Sequence, residues 1–236
     1  MPTKPVSTIA QQLNAAQLAI SNSLGDAEIT AAVAQYGYTT AKLNEGKALY
    51  EAALAAVNAT KTGKGEQKTA TADLKAKQKE AQDAYQAAAQ VARAALAPAD
   101  LATLGLAGKV PRDTAGFIAA AYTLFDNAAS SGLLSGFGYD ADKLTAERAK
   151  IAAFDAANQA QEAAKGSAQQ ATQDQEAALA KMNDWVAQYL KIAKVALRSK
   201  KQALEKIGVT ARTTKTAAQR AAPKKAAATR AAKKKS

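Results

Sequence analysis

Apolar side chains recur along most of the chain at helical spacings, with polar residues between them. Leu43, Tyr50, Leu54 and Val57 are separated by seven, four and three residues, which places them on one narrow face of an α-helix. The same spacing recurs at Leu74, Ala81, Tyr85, Ala88, Val91 and Ala95, at Leu144, Ile151 and Phe154, and at Leu179, Met182, Val186, Tyr189, Ile192 and Ala196. The pattern predicts an all-α protein made of amphipathic helices.

Glycines predict where these helices end. Gly63 and Gly166 each lie between two apolar segments, in KTGKGE and AAKGSA, and glycine commonly ends a helix and opens a turn. We therefore expect each pair of segments to form a long helical hairpin. One further helix precedes each hairpin, at 5–24 and at 113–130. Asp113 or Thr114 is the expected N-cap of the second of these helices.

The hairpins belong to an internal repeat. Residues 31–96 align without a gap with residues 132–197, giving 19 identities in 66 positions, of which 9 pair alanine with alanine. A repeat of this length indicates a duplicated domain and not a solenoid. We predict an internally duplicated helical bundle with two units of about three helices, at 1–108 and 109–211, followed by a disordered basic tail at 212–236.

Each predicted hairpin is preceded by an aromatic-Gly-Tyr sequence, at Tyr36–Tyr38 and Phe137–Tyr139. The glycine is expected to take a positive φ angle or to allow a close backbone approach, and the flanking rings are expected to pack the turn against the bundle. A ligand site lined by these rings and Trp185 is the functional alternative. The structural interpretation is favoured because the chain is rich in alanine, and only 5% of its residues are aromatic to fill the core.

The net charge of +12 is confined to one end of the chain. Residues 1–197 contain 19 basic and 19 acidic side chains, whereas residues 198–236 contain 13 basic side chains and the single acidic residue Glu205. A neutral body followed by a strongly basic segment indicates a polyanionic partner, either nucleic acid or an anionic membrane surface.

The residue types exclude several classes of enzyme. The chain contains neither histidine nor cysteine, so it has no imidazole base, no thiolate nucleophile and no ligands for a zinc site of the usual kind. GLAGKV at 105–110 lacks the spacing and the hydroxyl residue of a phosphate-binding loop. We expect a non-enzymatic protein with no cofactor or metal. We also expect it in the cytoplasm, because no segment has the apolar length of a signal peptide or of a membrane span.

The candidate binding residues are the basic side chains of the tail. Flexible lysine and arginine arms neutralise phosphates without distinguishing bases, so binding to DNA or RNA would be non-specific. The predicted phosphate contacts are Arg212, Lys215, Arg220, Lys224, Lys225, Arg230, Lys233, Lys234 and Lys235.

The end of the tail, AAPKKAAATRAAKKKS, resembles the Ala/Lys/Pro-rich arms of bacterial histone H1-like proteins and of HU-type nucleoid proteins with extended C-termini. The resemblance covers about 25 residues of this chain and is one of composition. It implies DNA compaction or tethering in the nucleoid. The phosphate contacts that it implies are Lys224, Lys225, Arg230, Lys233, Lys234 and Lys235.

Two alternatives remain open from the sequence. The helical body could be a structural scaffold that self-associates or binds a protein partner, the tail serving only for solubility. Membrane binding is less favoured, because stable attachment of a polybasic arm needs an apolar or lipid anchor, and the tail contains neither aromatic residues nor cysteine.

Overall fold

The structure, a computed structural model, describes residues 7–210. Within that range the chain forms seven α-helices, one short 3-10 turn and no strand, which confirms the all-α prediction. The helices are α1 (Ile9–Gly25), α2 (Ala27–Ala34), α3 (Thr40–Ala95), α4 (Pro98–Thr103), α5 (Thr114–Ser131), α6 (Ala141–Ala196) and α7 (Lys201–Lys206), with the 3-10 turn at Ser135–Phe137.

Side chains that bind free backbone N–H groups define where α1, α2 and α5 begin. Thr8 accepts a hydrogen bond from the N–H of Gln11, and the Gln11 side chain accepts one from the N–H of Thr8, which forms a capping box at the start of α1. Asp26 caps α2 by accepting hydrogen bonds from the N–H groups of Glu28 and Ile29. Asp113 accepts a hydrogen bond of 2.8 Å from the N–H of Gly116 and caps α5, as one of the two sequence-based alternatives predicted.

The predicted turns at Gly63 and Gly166 are wrong. Helices α3 and α6 each continue for 56 residues and pass through these glycines. A glycine inside a helix costs only about 1 kcal/mol relative to alanine, and the flanking Lys, Glu, Gln and Ala residues favour the helix on both sides. At Gly63, an added Cβ would lie 3.5 Å from the Cα of Ala168, an ordinary van der Waals distance, so packing against the other long helix does not require glycine there.

The turns before the two long helices do depend on glycine. Gly37 has a φ angle of 86° and Gly138 one of 82°, which confirms the predicted positive φ at both positions. Tyr38 and Tyr139 are buried, as expected of rings that pack a turn against the bundle. Tyr36 and Phe137, in contrast, are each 49% exposed, so only the ring after each glycine packs against the helices.

A matched pair of substitutions distinguishes these two kinds of glycine. Neither Gly65 nor Gly37 has another atom within 4 Å of where a Cβ would be added, so the backbone conformation alone decides the effect. We expect Gly65→Ala, inside α3, to raise the free energy of unfolding by roughly 0.5–1 kcal/mol. Gly37→Ala is expected to lower it by about 1 kcal/mol or more, because alanine is strained at positive φ. Denaturant unfolding followed by circular dichroism measures both, and a destabilising Gly65→Ala would contradict the continuous helix.

The described residues divide into two compact units. The terminal unit comprises 7–55 and 176–210, and the central unit comprises 56–175. Each unit therefore takes one part of α3 and one part of α6. Each of these units contains residues from both predicted units, 1–108 and 109–211. The internal duplication stays a prediction from the sequence alignment.

The core of the terminal unit is built around large side chains from α6. Tyr189 and Met182 of α6 are fully buried there, together with Ile20 of α1, Leu43 of α3 and Leu197, which follows the end of α6. Burying a large apolar side chain contributes roughly 1.5–3 kcal/mol. Of these residues, the helical spacing had placed Leu43, Met182 and Tyr189 on apolar helix faces. The hydrogen bond between Ser23 and Tyr189 also joins α1 to α6.

The core of the central unit contains many alanine side chains. Phe125 and Phe154 are its fully buried aromatic residues. The Thr60 hydroxyl donates a hydrogen bond of 2.8 Å to the carbonyl oxygen of Ala171 on the other long helix, a bond that requires close approach of the two backbones. The alanines buried in this core are Ala81, Ala84, Ala88, Ala89, Ala92, Ala121 and Ala128.

Candidate nucleic-acid interface

The predicted phosphate contacts all lie outside the described residues, because Arg212 to Lys235 follow the last of them. The described part of the chain nevertheless includes the segment that leads into the tail. This segment consists of the end of α6, the turn after it and α7. Its contacts determine where on the terminal unit the described chain ends.

Helix α7 is held against the corner between α1 and α2. The Lys206 ammonium lies 2.7 Å from Oδ2 of Asp26, and the Lys200 ammonium lies 2.8 Å from Oε1 of Glu28. The Asn22 side-chain amide donates a hydrogen bond of 2.6 Å to the carbonyl oxygen of Lys206. Three polar contacts therefore fix the residues just before the tail to the folded body.

The Asp26–Lys206 pair affects the protonation of both partners. The hydrogen bond from Lys206 lowers the pKa of Asp26 below its ordinary value, with further lowering by the N–H groups that Asp26 caps. The same hydrogen bond raises the pKa of Lys206. The two shifts agree in favouring the ion pair at neutral pH. Because exposed ion pairs contribute little to stability, the main effect of this pair is to position α7.

Three basic side chains lie at the end of α6. Lys191, Lys194 and Arg198 are exposed, and none has an ion-pair partner among residues 7–210. Cations at the C-terminus of a helix interact favourably with its dipole, which is a sufficient structural reason for Lys194 in the last turn. Their positive charge is also available to a polyanion.

Three aromatic side chains of the terminal unit form a core cluster and not a ligand surface. Trp185 stacks on Tyr189 with ring centroids 5.4 Å apart, and Tyr38 contacts both rings. All three are at most 9% exposed. A Cβ added at Gly46 would overlap the Trp185 ring, so the indole fills space that the glycine leaves open. This confirms the structural interpretation for Tyr38 and Trp185.

The central unit has a surface cavity of about 400 Å³ beside the segment that precedes α5. Tyr85 and Phe154 form part of its wall but are 4% and 1% exposed, so they offer little ring surface to a ligand. The polar residues around it are Gln78, Gln82, Gln86, Arg112, Thr114 and Asp113, the N-cap of α5. The cavity brings together no pair of carboxylates and no nucleophile with a base, so no catalytic arrangement is present there.

No group of three or more acidic residues is placed to hold a metal ion within residues 7–210. The aspartates that the repeat pairs, Asp73 with Asp174 and Asp83 with Asp184, are all exposed on helix surfaces. None of the helices described has the length and apolar character needed to cross a membrane.

Comparison of the chain with protein-family models, with curated proteins and with solved structures finds no match.

Proposed function

We propose that this protein binds DNA or RNA without sequence preference, through the basic side chains of residues 212–236. The observation that carries the proposal is the charge distribution: residues 198–236 hold 13 basic side chains and one acidic side chain, after a body with 19 of each. The contacts of α7 with Asp26 and Glu28 support it, because they neutralise two of the basic residues that precede the tail and leave the tail itself as the main concentration of positive charge.

Binding would be driven by the release of counterions from the nucleic acid. Each phosphate neutralised by a lysine or arginine releases condensed cations, so affinity falls steeply as salt rises. Phosphate contacts carry no sequence information. The tail contains no aromatic residue that could stack on a base. This chemistry suits a nucleoid-associated or tethering protein of the cytoplasm, with no enzymatic activity and no cofactor.

A scaffold that binds a protein partner or a second copy of the chain is the second candidate. One observation favours it: Tyr36 and Phe137 each leave about half of an aromatic ring exposed, at the turn before a long helix. Aromatic residues are enriched at protein interfaces. In that case the tail would serve for solubility, and the chain would form complexes that do not depend on nucleic acid.

The salt dependence of binding tests the first proposal. The affinity of the full chain for duplex DNA of random sequence is measured by fluorescence anisotropy from about 50 to about 200 mM salt, the range over which several phosphate contacts change affinity strongly. With nine basic residues in 212–236, the slope of log K against log salt is expected to be at least as steep as about −8. A slope shallower than about −3, or no binding at the lowest salt, would contradict the proposal.

A further inference from the structure

The lysines of α3 fall into two groups. Lys42, Lys47, Lys77 and Lys79 each form an ion pair with an acidic residue three or four positions later in the same helix. The four lysines between these pairs are exposed and have no ion-pair partner within residues 7–210. They are Lys61, Lys64, Lys68 and Lys75, and we call them the lysine stripe.

The lysine stripe occupies one side of the helix. With 100° of rotation per residue, the four positions fall within an arc of about 60°, and they extend over about 21 Å of helix at 1.5 Å per residue. Glu66 and Asp73, the acidic residues in this stretch, are two positions away from a lysine of the stripe. Residues two apart in a helix do not face each other, so the positive charge of this side is not neutralised locally.

The stripe is not explained by helix formation alone. At the positions that the repeat pairs with it, α6 has Glu162, Lys165, Gln169 and Glu176, and there Lys165 pairs with Glu162. An equally long helix thus forms without a basic side at these positions. Lys61, Lys64 and Lys68 lie on adjacent turns and repel one another, which is a cost that a bound polyanion would remove.

We propose that the lysine stripe is a second surface for the phosphate backbone of duplex DNA, on the folded body and separate from the tail. The stretch 61–75 has no aromatic residue, and its single large apolar side chain, Leu74, is half-buried. A membrane-binding helix needs an exposed apolar face beside its cations, which the stripe lacks. A straight row of lysines on a helix suits a duplex, whose charges are regularly spaced along its length.

Two quadruple variants of the full chain with equal net charge test the proposal. In the stripe variant, Lys61, Lys64, Lys68 and Lys75 are replaced by glutamine. In the control variant, four exposed lysines that already have ion-pair partners are replaced by glutamine: Lys42, Lys47, Lys143 and Lys165. Glutamine is a good helix former, and circular dichroism checks that both variants fold.

The stripe variant is expected to bind duplex DNA at least about tenfold more weakly at low salt, with a slope of log K against log salt shallower by about 3 to 4. The control variant is expected to change the slope by less than about 1. A third variant, with arginine at the four stripe positions, should bind as the wild type does. Equal losses in the stripe and control variants would mean that net charge alone matters, and an unchanged slope in the stripe variant would equally overturn the proposal.

The same measurements separate this inference from the proposed function of the tail. A stripe variant that binds like the wild type, while neutralising the tail abolishes binding, overturns the stripe and leaves the tail proposal intact. A wild-type chain that does not bind duplex DNA overturns both. Binding of the wild type to vesicles of anionic phospholipid, lost in the stripe variant while DNA binding is unchanged, would assign the stripe to a membrane surface and overturn the proposal for DNA.

Discussion

Replacing all nine basic residues of 212–236 with glutamine is expected to weaken binding to random duplex DNA by about a thousandfold or more at low salt. The reason is the number of phosphates that these side chains can neutralise, since six to ten such contacts change affinity by roughly 10³–10⁵ over a modest range of salt. The substitutions keep the length of the chain and leave residues 7–210 untouched, so a loss of binding would not reflect a changed fold.

A shuffled tail is the matched control for this variant. It keeps the composition and charge of 212–236 but changes the order of the residues. Because counterion release depends on charge and not on a particular sequence, the shuffled chain is expected to bind within about threefold of the wild type. Loss of binding on shuffling would show that the tail is recognised through a specific arrangement. Undiminished binding by the glutamine variant would mean that the tail is not the interface.

Tyr189→Ala is expected to lower the free energy of unfolding by about 3–5 kcal/mol, the range for removing a large aromatic side chain from a core. Tyr189 is fully buried and stacks on Trp185. It also shares a hydrogen bond with Ser23. Since the Ser23 hydroxyl donates to the carbonyl oxygen of Ala19, the tyrosine hydroxyl is the donor in the shared bond. Burial raises the pKa of Tyr189, which keeps this donor protonated at neutral pH.

Tyr189→Phe is the control, because it removes only the hydroxyl group. It is expected to cost about 1 kcal/mol, since Ser23 keeps its bond to Ala19 and the ring still fills the core. Trp185 is the single tryptophan of the chain and contacts this ring, so its fluorescence reports the unfolding of the cluster in denaturant. A loss of less than about 1 kcal/mol in Tyr189→Ala would contradict the packing described for the terminal unit.

Helix positions and caps are accessible to sequence reasoning because they depend on near neighbours. The apolar spacing that includes Tyr189 and Met182 correctly identified buried residues. Asp113 caps α5 and Gly37 takes a positive φ angle, both as predicted. In each case the interacting groups lie within a few residues of each other, and the backbone conformation follows from the residue types alone.

The same reasoning failed where two outcomes differ little in local energy. Gly63 and Gly166 are as suited to ending a helix as to lying within one at a cost of about 1 kcal/mol. In both long helices the chain continues through the glycine. The lysine stripe was also missed, although its signal is present in the sequence: four lysines at helical spacing without an acidic residue three or four positions away on the same side.

The sequence by itself determined the helical class, the positive φ angles of Gly37 and Gly138, and the location of all the net charge beyond residue 197. These features follow from composition and local spacing. The tertiary structure decided that α3 and α6 are continuous, and that Tyr38 is buried while Tyr36 is half-exposed. It also decided that Lys206 pairs with Asp26 across 180 positions of the chain. These outcomes depend on contacts between residues far apart in the chain, whose energies no local pattern contains.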